Sequence, residues 1–145
     1  MMSDTVLKLI APNPGWQPTA PQSNAAVAFL SQLYRDVSVH YFSEISFIDA
    51  GNWGGVCCPR CKADAEAWWS DAMTLAAASQ FQDLRVTTPC CATATTLNDL
   101  FYRPPAGFAS FAIDIPDPGA PLPTHIHRKL EQLLGAEIRE IWFHV

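Results

Sequence analysis

With 145 residues, 49% of them hydrophobic, the chain is long enough for one domain with a sizeable core, which excludes a globally disordered protein. A formal charge of −5 and a pI near 5.1 argue against a nucleic-acid binder, which needs a basic face to neutralise phosphates; they suit a cationic partner or a solvated acidic surface. No apolar run approaches the roughly 20 residues that span a bilayer, and Met1-Met2-Ser3-Asp4 lacks the basic and apolar regions of a secretory signal.

Thr5 to Ile10 reads as a first strand, and the prolines at 12, 14, 18 and 21 predict an irregular connection after it. Ser23 or Asn24 is then expected to cap a short helix carrying Val27, Leu30, Leu33 and Tyr34. From Val37 the period becomes two. Val37, Val39, Tyr41, Ile45 and Phe47 share one face, and Ser38, His40, Glu44 and Ser46 the other. Asp49 to Asn52 and Gly54-Gly55 break this strand. Ala63 to Ser79 has helical propensity, with Trp68, Trp69, Ala72 and Leu75/Ala76 as its apolar stripe. Leu84 to Thr88 predicts a short strand, and Leu97 to Gly107 an irregular stretch. Phe111, Ile113 and Ile115 alternate with polar or small residues as a strand does. Thr124 is expected to cap a helix lined by Ile126, Leu130, Leu133 and Leu134 and stopped by Gly135. Ile138 to His144 is the last strand, with a bulge near Glu140 to reconcile Ile138 with Ile141 and Phe143.

Two strand–helix–strand units flank a cysteine-bearing insertion. That order predicts an α+β fold of the ferredoxin-like split βαβ type, an antiparallel sheet backed by helices. The core would comprise residues 5–49 and 108–145 and the insertion residues 50–107, in one domain spanning 1–145. No repeated sequence motif is evident.

All five cysteines lie in two clusters, Cys57-Cys58-Pro59-Arg60-Cys61 and Pro89-Cys90-Cys91. Their odd number leaves one thiol over in any disulfide scheme, so a reducing, cytoplasmic setting is expected. The C-x-x-C spacing of Cys58 and Cys61 lets one tight turn present two thiolates to an ion. Cys90 and Cys91 can complete the tetrahedral four-sulfur set that zinc prefers. If only one of that adjacent pair binds, Cys57 or a histidine (His40, His125, His127 or His144) must supply the fourth ligand. A four-thiolate site has no open position and is structural. The rival is redox chemistry: a strand, Trp53 and Cys58-Pro59-Arg60-Cys61 resemble thioredoxin-like proteins, in which a helix N-terminus stabilises the first thiolate. Here Trp53 is displaced from the motif, and the proline follows the first cysteine. Zinc deaminases are excluded, because no H-x-E element occurs.

Other chemistry is not indicated. His125 and His127 stand two apart at a helix start and point to different faces, so Ile126 is expected to pack inward and both histidines to be solvated. There is no phosphate-binding glycine loop, G-x-S-x-G elbow or H-E-x-x-H helix. No spacing marks a carboxylate pair as acid and base.

The strings C-P-R-C (58–61), Trp68-Trp69, P-C-C (89–91), L-N-D-L (97–100) with Tyr102, and P-A-G-F-A-S-F (105–111) resemble a family of small proteobacterial proteins with the pattern C-P-x-C, P-C-C, L-N-D-L-x-Y-x-x-P-A-G-F-A-x-F. The similarity covers roughly residues 37 to 145. In that family glycine often follows each cysteine pair, where Lys62 and Ala92 stand here. Some relatives lie beside secreted polymorphic toxins, so the resemblance implies an immunity protein that binds and neutralises a cognate toxin. If the toxin is a nuclease, acidic groups would occupy its phosphate groove. Asp49, Asp64, Glu66, Asp71 and Asp99, in or near the insertion, are the candidates for that face. The expectation is a non-enzymatic, zinc-binding partner protein, and a thiol–disulfide oxidoreductase using Cys58 and Cys61 is the alternative.

Overall fold

A computed structural model describes residues 5–144. The signal-peptide reading of Met1–Asp4 lies outside the described residues. In chain order the elements are β1 (Thr5–Ile10), α1 (Ala20–Ser31), β2 (Ser38–Ile48), β3 (Val56–Cys57), α2 (Glu66–Ala77), β4 (Arg85–Thr87), β5 (Ala94–Thr96), a 3₁₀ turn (Leu97–Asp99), β6 (Phe101–Tyr102), β7 (Gly107–Pro116), α3 (Thr124–Leu134) and β8 (Arg139–His144). The fold is α+β. Its main sheet has the order β2-β7-β1-β8, and each neighbouring pair is antiparallel. Two small two-stranded sheets, β3-β6 and β4-β5, belong to the insertion.

Helices α1 and α3 bury their apolar faces against the main sheet, where Leu7, Leu9, Leu30, Ile113, Ile115 and Leu130 meet. Removing each such side chain from water contributes about 1.5–3 kcal/mol. The helix α1 begins earlier than its prolines suggest. Thr19 caps it, accepting the Gln22 amide while the Gln22 side chain accepts from Thr19 N. Pro21 sits in the first turn, where its missing N–H has no helical partner to lose.

The strand β2 is not one continuous face. Tyr41 pairs with Phe111 and Ser46 with Ala109, so residues 42–45 stand opposite Ser110 alone. The proline-rich loop fills this irregularity. Gln17 Nε2 donates to the carbonyls of Phe42 (3.2 Å) and Ser110 (2.9 Å), and Ser110 Oγ donates to the Pro14 carbonyl (2.8 Å). Val37 and Val39 consequently join the helix-side core, whereas Ile45 and Phe47 join a second cluster. Tyr41 is 47% exposed.

That second cluster is the core of the insertion. Val56, Ala65, Leu97, Tyr102 and Phe108 are its most buried members, with Phe47, Trp69 and Phe81 packed around them. Phe108 brings it onto the main sheet, its ring centroid 4.9 Å from Phe47 and 5.3 Å from Phe81. Buried Asn98 ties the join: Nδ2 donates to the Pro12 carbonyl at 2.7 Å, and Oδ1 accepts from Phe108 N at 2.8 Å.

Five local expectations need correction. Thr124 is the first residue of α3 rather than its cap; Pro123 takes the cap position, and no side chain bonds there. Helix α2 starts at Glu66 rather than Ala63, because Asp64 bridges Cys57 and Ala65 N donates to the Val56 carbonyl, holding that stretch extended. Its Leu75 is 77% exposed and lies outside the apolar stripe. The 97–107 segment is ordered by the 3₁₀ turn and by β6, which pairs Tyr102 with Val56. Strand β8 has no bulge. Its six residues pair in unbroken register with β1, and Ile138 and Ile141 are out of phase because they enter cores on opposite faces.

Tyr102 is 3% exposed; its hydroxyl donates to the Leu97 carbonyl at 2.7 Å and accepts from Trp69 Nε1 at 3.0 Å. Burial holds this phenol well above its usual range, against a smaller opposing effect of the Trp69 bond. A raised phenol pKa means stability that is intact below the unfolded value of about 10 and lost as pH climbs past it. Tyr102→Phe is expected to cost about 1–3 kcal/mol at neutral pH by stranding both partners. It should also reduce the fall in stability above pH about 10; urea unfolding at neutral and alkaline pH measures both effects.

Candidate metal centre

Cys58, Cys61, Cys90 and Cys91 converge, with all four sulfurs within 4.8 Å of one another. Cys61 Sγ lies 3.3 Å from Cys90 Sγ, Cys58 Sγ 3.7 Å from Cys91 Sγ, and Cys90 Sγ 4.0 Å from Cys91 Sγ. These are not disulfides, and all five thiols are free. Four sulfurs arranged tetrahedrally about 2.3 Å from a zinc ion would be about 3.8 Å apart. The donor set therefore fits a closed four-thiolate centre in chemistry and in spacing.

Two turns build it, and they are copies. In the first, Cys58 N donates to the Ala63 carbonyl (2.8 Å) and Lys62 N to the Cys58 carbonyl (3.1 Å). In the second, Thr88 N donates to the Thr93 carbonyl (2.9 Å) and Ala92 N to the Thr88 carbonyl (2.8 Å). Pro59 and Pro89 hold equivalent places, and Lys62 and Ala92 both take positive φ, 64° and 54°. Flanking residues also pair alike, Cys57 with Asp64 and Thr87 with Ala94. In this superposition Cys61 matches Cys91, Thr88 stands where Cys58 stands, and Cys90 matches Arg60. No repeat was expected from the sequence. The residues Pro and Cys two apart in C-P-R-C and T-P-C-C were its one trace.

The chain matches no family model, no curated protein and no solved structure.

The sulfurs are unequal. Cys58, fully buried, accepts the backbone N–H of Cys61 and of Arg60, and these bonds, with those from Cys90 and Cys91, bring its thiol down to about 6 against the opposing effect of burial. Cys61 also accepts a backbone bond, from Ala63, which acts to lower it. Its contacts with Cys90, Cys58 and Cys91, together with burial, outweigh that bond and push it to about 12. Cys91 is lowered by the hydroxyls of Thr93 (3.1 Å) and Thr88 (3.5 Å). Thr93 N donates to Thr88 Oγ1 at 3.0 Å, which leaves the Thr88 hydroxyl hydrogen free for the sulfur. Thr88 is thus a member of the site that motif reading missed, because a threonine carries no metal signature.

Other proposed ligands lie elsewhere. Cys57 is buried in β3, pairing with Phe101. His127, expected to be solvated, is partly buried between Glu140 (2.9 Å) and Glu131 (3.2 Å), and His40 faces Asp114 at 3.2 Å. Helix α2 begins five residues after Cys61, so its N-terminus does not seat Cys58 as the thioredoxin-like reading requires. Of the acidic residues, Asp64, Glu66, Asp71 and Asp99 are exposed and Asp49 is half-buried. Glu66 accepts from Trp53 Nε1 at 2.6 Å, and Asp99 is engaged by Arg139 at 3.2 Å and by Thr96 at 2.9 Å. Trp53 and Phe101 are 43% and 44% exposed, and Lys62 Nζ lies 4.6 Å from the Phe101 ring centroid.

Two outcomes follow from the turns. Since Cys61 keeps its proton to about pH 12 without metal, zinc uptake at pH 7 must displace protons. Zinc affinity is therefore expected to fall as pH falls, with proton release visible by calorimetry in buffers of different ionisation enthalpy. Ala92→Gly should relieve the left-handed strain and add about 1 kcal/mol of stability, read by chemical denaturation.

Proposed function

We propose that the chain is a non-enzymatic binding protein, a ferredoxin-like sandwich whose insertion is stapled by a structural zinc ion on Cys58, Cys61, Cys90 and Cys91. The antiparallel strand order β2-β7-β1-β8, with one helix after β1 and another after β7, supports the ferredoxin-like reading. The observation that carries the zinc reading is the four-sulfur cluster, whose spacing suits a tetrahedral ion without an open position. Zinc supplies charge neutralisation and crosslinking there, and no step of chemistry.

The partner reading is an immunity protein that binds and neutralises a cognate secreted toxin, with a nuclease as the class that an acidic face suits. Its supports are the resemblance in the 37–145 segment, the net charge of −5, and the surface beside the first turn. There Trp53 and Phe101 are exposed aromatics of the kind that anchor interfaces. Glu66 holds the Trp53 indole, and Asp64 Oδ1 accepts from Glu66 N at 3.0 Å. A basic active-site rim would meet aromatic contact and negative charge together.

Metal analysis of purified protein, with and without chelator, tests the zinc half. One zinc per chain and a large drop in thermal midpoint on removal are expected; a metal-free protein with full stability refutes it. For the partner half, the product of the neighbouring gene is the probe. Trp53→Ala is expected to weaken its binding by roughly tenfold or more. If wild-type protein neither binds nor inhibits that product, the immunity reading fails while the zinc reading stands.

A further inference from the structure

The two turns are equivalent in backbone but not in ligand placement. Each has a fourth-position cysteine, Cys61 or Cys91. Only the first has a cysteine at its opening position, Cys58; the second has Thr88 there, fully buried and within 3.5 Å of Cys91 Sγ. The fourth sulfur instead comes from Cys90, at the position that Arg60 fills in the first turn, where the side chain faces solvent. Support differs accordingly. Cys58 is fully buried, and Cys91 Sγ has the hydroxyls of Thr93 at 3.1 Å and Thr88 at 3.5 Å. The contacts of Cys90 are with the neighbouring sulfurs, 3.3 Å to Cys61 and 4.0 Å to Cys91. Cys61, Cys90 and Cys91 are all exposed, and at 3.3 Å Cys61 and Cys90 are closer than Cys58–Cys91 (3.7 Å) or Cys90–Cys91 (4.0 Å).

We propose that Cys90 is the exchangeable ligand of this centre and that peroxide converts Cys61 and Cys90 into a disulfide that opens it. This rests on the zinc reading above and adds a redox-dependent release to it. The Cys90 thiolate attacks one peroxide oxygen, forming an S–O bond as the O–O bond breaks, and the departing hydroxide takes a proton to become water. The Cys61 thiolate then attacks the Cys90 sulfur; the S–S bond forms and the S–O bond breaks. The second oxygen also leaves as water after taking a proton from solvent. Two electrons pass from the sulfur pair to the peroxide. The sulfurs must close from 3.3 Å to about 2.05 Å, a shift that the exposed turn at Cys90 can make. With two of four thiolates consumed, the remaining pair cannot hold the ion.

The test uses full-length protein carrying Cys57→Ser, so that the buried fifth thiol cannot report. Hydrogen peroxide is added, zinc release is followed with a chromogenic chelator, and disulfides are mapped by peptide mass spectrometry. The expected result is zinc release in step with a Cys61–Cys90 disulfide. In the double variant Thr88→Cys with Cys90→Ser the ligand returns to the opening position, and release should be roughly tenfold slower or more with zinc stoichiometry kept. A first disulfide between any other pair, or equal release rates from a zinc-loaded double variant, overturns the proposal. Should the double variant fail to fold, the disulfide map of the parent protein decides alone. Protein that binds no zinc at all refutes the structural-zinc reading instead, and the map still shows whether Cys61 and Cys90 pair first.

Discussion

Four thiolates within 4.8 Å cannot keep their charges together unless a cation sits among them, and the insertion is organised around that constraint. At an effective dielectric near 20, each close pair of unit negative charges repels by roughly 4 kcal/mol. Without metal, the cluster escapes by holding protons: contacts with the neighbouring sulfurs and burial push Cys61 up, while backbone N–H groups draw Cys58 down. The surrounding elements could not impose this geometry by themselves. Two-residue and three-residue strand pairs, β3-β6 and β4-β5, are far below the size that folds independently. A metal ion held by the four sulfurs would link the two turns across α2 and add to the hydrophobic cluster of Val56, Leu97, Tyr102 and Phe108.

The other demand on the insertion comes from the main sheet. Strand β7 is buried without interruption from Gly107 to Ile113, so both faces of its first half need cover. Helices α1 and α3 supply one side through Phe111, Ile113 and Ile115. The insertion reaches the strand through Phe108, packed by Phe47 and Phe81. The close approach leaves little room at Gly107, where an added Cβ would lie 3.0 Å from Ile10 Cδ1 and 3.2 Å from Asn98 Oδ1. Phe81 itself adopts a positive φ of 62°, an unfavourable conformation for a bulky residue, and its ring contact with Phe108 is what offsets that cost.

Much of this was legible in period and spacing. The strands at 5–10 and 111–115, the last helix with Gly135 at φ 73°, and the pairing of C-x-x-C with C-C follow from local chemistry that acts alone. The failures share one cause, partners distant in sequence. Pro21 reads as a breaker until Thr19 and Gln22 are seen capping around it. The irregularity in β2 is invisible because Gln17 and Pro14 stabilise it from another segment. Ile138 and Ile141 looked inconsistent because a strand buried on both faces has no single phase. Thr88 was passed over for a different reason. Its place in the site is defined by backbone shape, and a threonine there carries no metal-ligand signature.

The sulfur centre and the exposed aromatic surface are mechanically one unit. Strand β3 runs directly into Cys58, and its Cys57 pairs with Phe101. The loop bearing Trp53 is fixed to the next connection by Gly54 N donating to the Arg103 carbonyl at 2.8 Å, and Arg103 N returns a bond to the Gly55 carbonyl at 2.9 Å. A side chain at 54 would place its Cβ 2.8 Å from the Arg103 carbonyl oxygen, so only glycine permits that approach. Lys62, in the turn itself, reaches back to Pro59 O at 3.0 Å and lies over the Phe101 ring. Cys58 thus continues directly from the strand whose pairing sets Phe101, and the Gly54–Arg103 and Arg103–Gly55 bonds tie the Trp53 loop to the segment that follows β6.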